Sequence, residues 1–196
     1  MAITTEDIKA LRDETSVSIM QCKKALEEAG GDMEKARMIL RKNSASAASK
    51  KSERTLGAGT VGPYVHSNKK IAAMVELFCE TDFVTQNPEF MELANDLAMQ
   101  VTAMAPEFVR SSEIDEESTQ KAKDFFLEEI GQSDKPAEIQ EKILSGKMND
   151  FFAEKTLMNQ SYIMNGDMTI ADVVNGLTQK TGERVVIGKF SRFEIV

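Results

Sequence analysis

The spacing of the apolar residues changes along this chain, and that change constrains the fold most strongly. Before residue 43 they recur every three or four positions, whereas residues 71–79 alternate strictly between two faces. One face of that stretch carries Ile71, Ala73, Val75, Leu77 and Cys79. Residues 59–66 and 183–196 are similar, with Val185, Ile187 and Phe193 on one face of the latter. The pattern predicts three strands of a small antiparallel sheet.

Three short helices are predicted in the first 43 residues. Residues 4–7 fit a capping box before Ile8 and Leu11, and Asp32 is placed to cap the third helix. Glycines 30 and 31 stop the second helix. The predicted inward-facing residues of the second and third helices are Ile19, Cys22, Leu26, Met33, Ala36, Ile39 and Leu40. A bundle this small favours a docking module over an active-site scaffold.

The small polar segment that follows reads as a linker or a solvated helix. It divides the chain into a module at 1–43, a linker at 44–56 and a core at 57–196. Within the core, Asn87 and Pro88 start one helix, Pro136 starts a short one, and a separate helix carries Met148, Phe151 and Phe152. Residues 169–172 form a second capping box. Neighbouring strands, then helices, then a returning strand predict an α+β fold.

Charge and composition exclude several classes of function. The net charge is −8, although residues 1–56 carry 11 basic and 9 acidic side chains. This argues against nucleic acid as the main ligand. With two cysteines, Cys22 and Cys79, and one histidine, His66, zinc sites built on two histidines are impossible, so we expect no metal or cofactor. No run is apolar enough to span a membrane, and residues 1–7 lack a secretion signal, which predicts a cytoplasmic protein.

Two local patterns have plain structural explanations. Residues 57–62 match GxGxxG, but a charged linker precedes them and a strand-like segment follows, so an entry into a strand is favoured over a nucleotide site. Basic residues cluster at 23–24, 41–42 and 50–54. They form either a patch for an acidic partner or ordinary solvated helix faces, and the second is favoured.

The most suggestive segment lies between the end of a predicted strand and the helix capped by Asn87. Where small polar residues are usual, it places Phe83 beside Asp82. In one interpretation Phe83 folds into the core while Asp82 or Thr81 caps a turn, and patterning alone slightly favours this. In the other, Phe83 is an exposed aromatic wedge with an adjacent charge that separates elements of a partner protein.

Together these stretches resemble the elongation factor Ts family, the nucleotide-exchange factors of the GTPase EF-Tu. The similarity is carried by residues 19–26, 31–36, 75–84, 93–106, 135–147 and 190–194. The chain departs from the family pattern at residues 15–18, where Thr-Gly-Ala-Gly is usual, so that contact loop is expected to differ. It also has Gln160-Ser161-Tyr162 where Gln-Pro-Phe is usual, which predicts a less rigid loop.

The resemblance implies a fold, partners and a site. The first 43 residues would be a module like a ubiquitin-associated domain that docks on EF-Tu. Residues Thr81, Asp82, Phe83 and Val84 would dislocate Mg²⁺ from EF-Tu, with further contacts from Met20, Lys23, Lys24 and His66. The single core repeat resembles the short form of the family, which implies a homodimer that binds two EF-Tu molecules. No covalent chemistry is implied, so the protein is not expected to be an enzyme.

Two other functions stay open on the residues alone. The main alternative is an adaptor, in which a three-helix docking module is attached to a dimerising α+β core without exchange activity. A more distant one is a small hydrolase working through His66 and Asp82, although no nucleophile is indicated.

Overall fold

The computed structural model describes residues 3–15, 17–131 and 136–195. Ser16 of the departing contact loop and Lys135 of the similar stretch lie outside them. The described residues confirm the α+β prediction. The helices are α1 (Thr5–Thr15), α2 (Ile19–Glu28), α3 (Met33–Ser49), α4 (Asp82–Thr85), α5 (Pro88–Met104), α6 (Glu116–Gly131), α7 (Ala137–Lys155) and α8 (Ile170–Thr181). The strands are β1 (Ala58–Val65), β2 (Ile71–Cys79), β3 (Ser161–Tyr162), β4 (Asn165–Thr169) and β5 (Val186–Glu194).

Helices α1, α2 and α3 form the predicted N-terminal bundle. The capping box is present, since the N–H of Thr4 donates to Asp7 at 2.9 Å and the N–H of Asp7 donates to the Thr4 hydroxyl at 3.1 Å. Asp32 caps α3 as predicted. The buried cluster contains Leu11, Val17, Cys22, Ala25, Leu26, Ala36 and Leu40. The inward placement of Ile19 is wrong: Ile19 is the first residue of α2 and is exposed, whereas Cys22, three residues later, is buried in the bundle.

Helix α3 continues past residue 43 through the segment read as a linker or a solvated helix. It ends at Ser49, and one of its faces packs on α8. Ser44 is buried there beside Gln179, and the Lys51 ammonium donates to the Thr178 carbonyl at 3.2 Å. Residues 44–49 are therefore helical, residues 50–53 form turns, and together they attach the bundle to the core. The division of the chain at residues 43 and 57 stays a prediction.

Strands β1, β2 and β5 form one antiparallel sheet, as predicted, and their order in it is β1-β2-β5. Helix α5 packs across its inner face, where Ala73, Val75, Leu77 and Cys79 of β2 are buried. The β2–β5 register shifts at Val75/Leu77, because Leu77 pairs with Ile187 whereas Val75 pairs with Phe190. This bulge reverses the parity of β5. The prediction of one face for Val185, Ile187 and Phe193 is consequently wrong for Phe193, which is 61% exposed.

The remaining helices differ from prediction in one respect. Residues 137–155 form a single helix, α7, where the sequence predicted two, and Gly146 lies inside it without ending it. Helices α6 and α7 pack against each other. At α8 the Thr169–Asp172 capping box is present, and Gly182 ends the helix at φ +76°. No described helix is long and apolar enough to cross a bilayer.

A short hairpin of β3 and β4 was not predicted. Its first strand is preceded by the buried Gln160, whose amide oxygen accepts a hydrogen bond from Gln100 at 3.1 Å. The Tyr162 hydroxyl donates to Asp96. Burial and this carboxylate raise the pKa of Tyr162. The tyrosine at this departure from the family pattern therefore anchors the hairpin to α5.

Candidate partner-binding site

The candidate site is a short turn between β2 and α5. Strand β2 ends at Cys79, Thr81 has extended backbone at φ −134°, and α4 is a single helical turn of four residues. Asn87 then caps α5 by accepting the N–H of Glu89 at 2.9 Å, with Pro88 in the first turn. The chain thus leaves the sheet, makes one turn in solvent and re-enters the core as α5.

Phe83, in this turn, is exposed to solvent. Its side chain is 89% exposed, and Asp82 beside it is exposed as well. The interpretation that placed Phe83 in the core is therefore wrong. Val84, the next residue, is buried in the core cluster under the sheet. The turn exposes one apolar ring and one carboxylate while Val84 fixes its inner side.

Thr81 is held by a residue that the sequence analysis missed. Glu183 follows α8 and accepts two hydrogen bonds from Thr81, from its N–H at 2.9 Å and from its hydroxyl at 2.6 Å. The positions are 102 residues apart, so no local pattern connects them. The one available signal was Gly182, a helix-stop residue that directs the chain back toward the turn.

A second carboxylate beside the turn connects three segments. Glu80 accepts the backbone N–H of Arg184 at 2.6 Å and lies 3.2 Å from the Arg54 guanidinium. Arg184 in turn donates to the Arg54 carbonyl at 2.7 Å. The hydrogen bond from the Arg184 N–H lowers the pKa of Glu80, and the Arg54 guanidinium lowers it further by a smaller amount. The end of β2 is thereby tied both to the segment after α3 and to the α8–β5 loop.

The buried thiol of Cys79 lies beneath the turn. It donates to the Thr81 carbonyl at 3.2 Å, and burial, with the nearby Glu183 charge, raises its pKa. A protonated thiol in this position is a packing group and a poor nucleophile. The described part of the chain contains no cluster of three or more His, Cys, Asp or Glu side chains that could hold a metal ion.

His66 is far from this turn. It lies at the β1–β2 turn, where its Nδ1 accepts the N–H of Asn68 at 3.4 Å, and β2 carries the chain the full length of the hairpin before Asp82. At about 3.3 Å per residue the two side chains are roughly 25 Å apart. The structure does not bring His66 and Asp82 together, which removes the basis of the hydrolase alternative.

Met20, Lys23 and Lys24 share one solvent-facing side of α2. Met20 is 81% exposed, and Lys23 forms a long ion pair with Glu27 at 3.8 Å. The basic residues after α3 differ, because Lys51 and Arg54 bond to the core of this chain. The α2 side chains are therefore exposed to solvent, whereas Lys51 and Arg54 have a structural role within this chain.

The GxGxxG residues lie in and just before β1, so no helix start follows them. A Cβ on Gly59 would approach the Leu77 carbonyl at 2.7 Å, and one on Gly62 would lie 2.0 Å from the carbonyl oxygen of Ala94. These two glycines allow close packing against β2 and α5. This is the structural explanation that the sequence favoured over a nucleotide site.

Comparison with known proteins agrees with the earlier resemblance. The family model described as "Elongation factor TS" matches residues 9–196. Elongation factor Ts of Thermotoga maritima is 46% identical over 195 residues, covering 100% of this chain and 97% of that one. The Thermosipho melanesiensis protein of the same name is 42% identical over 193 residues, covering 98% of each. With a match over nearly its whole length, the chain belongs to the elongation factor Ts family.

Proposed function

We propose that this protein is a guanine-nucleotide exchange factor for EF-Tu that acts in the cytoplasm during translation elongation. The observation that carries the proposal is Phe83, an aromatic ring 89% exposed on a turn fixed at both ends. Exposing such a ring costs solvation free energy, and aromatic anchors of this kind dominate many interfaces. Membership in the elongation factor Ts family supports EF-Tu as the partner.

The proposed mechanism is a wedge without covalent chemistry. Phe83 inserts between helices of EF-Tu near its Mg²⁺ and phosphate-binding loop, and Asp82 adds a negative charge there. Thr81 and Val84 hold the turn, since one is bonded to Glu183 and the other is buried. Displacing Mg²⁺ removes the charge that neutralises the diphosphate, so GDP binds more weakly.

Thermodynamic linkage closes the proposed cycle. If this protein lowers the affinity of EF-Tu for nucleotide by some factor, nucleotide lowers the affinity for this protein by the same factor. Arriving GTP therefore expels the exchange factor. The exposed side of α2 with Met20, Lys23 and Lys24 is proposed to dock on EF-Tu, with a further contact from His66.

Release of a fluorescent GDP analogue from EF-Tu tests the proposal. With excess unlabelled GDP present, the release rate is expected to rise with the concentration of this protein and then to saturate. Excess Mg²⁺ should oppose the effect, because it competes with displacement of the ion. Binding to EF-Tu without faster release would contradict the proposal and would favour the adaptor alternative.

We further propose that the protein is a homodimer that binds two EF-Tu molecules. Its two copies contact each other through the outer face of the sheet, the face opposite α5. Val65, Ala72 and Phe193 form one cross-strand row on that face, and Met74 lies in the next row. Val65, Met74 and Phe193 are all exposed. An apolar sheet face in water is typical of an interaction surface, and a second copy offers a matching one.

Sedimentation at several protein concentrations tests the dimer. The wild-type protein is expected to shift from monomer to dimer as concentration rises. Phe193→Glu should raise the dissociation constant at least tenfold, because it places a carboxylate in an apolar contact. Met164→Glu is the matched control, since Met164 is exposed outside the sheet. A wild-type monomer at all concentrations, or equal effects of both substitutions, would contradict this interface.

A further inference from the structure

Thr81, the N-cap residue of the α4 turn, is not held by a capping box within α4 itself. In a capping box the third helical residue carries a Glu or Gln that accepts the N–H of the N-cap residue. In α4 the N-cap residue is Thr81 and the third residue is Val84, whose apolar side chain is buried in the core. The Thr81 side chain makes no capping hydrogen bond within α4 either.

Glu183 supplies the missing acceptor from the α8–β5 loop. One carboxylate oxygen accepts the Thr81 N–H at 2.9 Å and the other accepts the Thr81 hydroxyl at 2.6 Å. The bond to the Thr81 N–H is the one that the third helical residue makes in a capping box, but here it comes from a residue distant in sequence. Because the acceptor is ionised, these hydrogen bonds are stronger than bonds between neutral groups.

The two ends of the turn are consequently held in different ways. Val84 is anchored by burial, and Thr81 is anchored by Glu183. Between the anchors lie Asp82 and Phe83, whose exposed side chains have little packing of their own to set their direction. A single helical turn is too short to be stable by itself. The direction of the Phe83 ring therefore depends on the two anchors.

We propose that Glu183 is a positioning residue for nucleotide exchange, acting through Thr81 on Asp82 and Phe83. The inference rests on the proposed function, since it concerns how the same turn reaches EF-Tu. Glu183 holds the turn in the orientation that inserts, so less conformational freedom is lost when the wedge enters its partner. Docking through α2 does not depend on it.

The kinetic test separates positioning from docking. Glu183→Ala removes both hydrogen bonds to Thr81 and is expected to lower the maximal rate of GDP release from EF-Tu about tenfold, the size of effect that loss of charge-assisted hydrogen bonds produces. Thr81→Val removes the hydroxyl bond but keeps the N–H bond, so it should lower the rate by less. The half-saturating concentration should change less than twofold. Thr81→Ser keeps both donors to Glu183 and should therefore lower the rate less than Thr81→Val does. Adding Thr81→Val to Glu183→Ala should lower the rate little further, because Glu183→Ala has already removed the hydroxyl bond.

Cys79 offers a second readout that needs no partner. Its thiol lies under the turn and donates to the Thr81 carbonyl, so opening of the turn exposes it. Glu183→Ala is expected to raise the rate of Cys79 alkylation by iodoacetamide several-fold, and by more than Glu183→Gln, which removes the same charge but keeps an oxygen that accepts from Thr81. Cys22, buried in the N-terminal bundle, serves as the internal reference and should not change. Peptide mass spectrometry distinguishes the two sites.

Glu113→Ala is the matched control, because Glu113 likewise accepts a backbone N–H, that of Val109 at 2.9 Å, but lies between α5 and α6 and bonds to no residue of the turn among those described. It should change neither the rate of GDP release nor the rate of Cys79 alkylation. Unchanged Cys79 alkylation in Glu183→Ala would overturn the proposal, even with slower exchange, since Glu183 would then act by touching EF-Tu directly. If the wild-type protein failed to accelerate GDP release, the proposed function would fall, while the alkylation rates would still decide whether Glu183 orders the turn.

Discussion

Phe83→Ala is expected to slow GDP release from EF-Tu about thirtyfold at subsaturating exchange factor. Truncating a central aromatic anchor costs about 2 kcal/mol or more of interface free energy, which corresponds to that factor. The melting temperature should stay within about 2 °C of wild type, because an exposed side chain contributes little to folding. Fluorescent-GDP release and thermal unfolding by circular dichroism measure the two quantities.

Asp82→Ala tests the charged half of the wedge. We expect slower release again, and the Asp82→Ala/Phe83→Ala double variant should be close to inactive while remaining folded. Phe125→Ala is the matched control, because Phe125 is another exposed phenylalanine, on α6 and outside the turn. Full activity in the double variant would contradict the wedge. A large fall in melting temperature for Phe83→Ala would instead mean that the ring packs in the core.

Local patterns predicted the parts of this fold that depend on local interactions. The alternation in β2 indicated its buried face because strand side chains have a period of two. Both capping boxes formed, since their hydrogen bonds join residues three apart. The sequence also placed Asp82 and Phe83 at a strand end, but patterning alone could not show that Phe83 faces water.

The error at Phe193 and the missed anchors of the α4 turn trace to contacts between residues distant in sequence. Phe193 faces outward because a bulge forms where β5 pairs with β2, and the alternation within β5 carries no sign of that pairing. Glu183 reaches Thr81 across 102 positions, and Arg184 meets Glu80 across 104. Periodicity contains no information on such pairs. The anchors of the α4 turn could therefore not be predicted from the sequence, although its position at the end of a strand could.

Gly62→Ala is expected to destabilise the protein by about 3 kcal/mol, the upper part of the usual range for overpacking. Gly62 is buried on the inner face of β1, and an added Cβ would lie 2.0 Å from the Ala94 carbonyl oxygen and 2.2 Å from its carbon. Because both are backbone atoms, the clash is relieved only if α5 moves away from the sheet, which opens the core. Differential scanning calorimetry should show a melting temperature lower by about 10 °C.

Gly176→Ala in α8 is the matched control. A Cβ on Gly176 meets nothing within 4 Å, and the substitution should stabilise the helix slightly. Equal melting temperatures for Gly62→Ala and wild type would contradict the close approach of β1 and α5. Helix α5 begins directly after the turn that carries Phe83, so at temperatures where Gly62→Ala remains folded its exchange rate should fall as well.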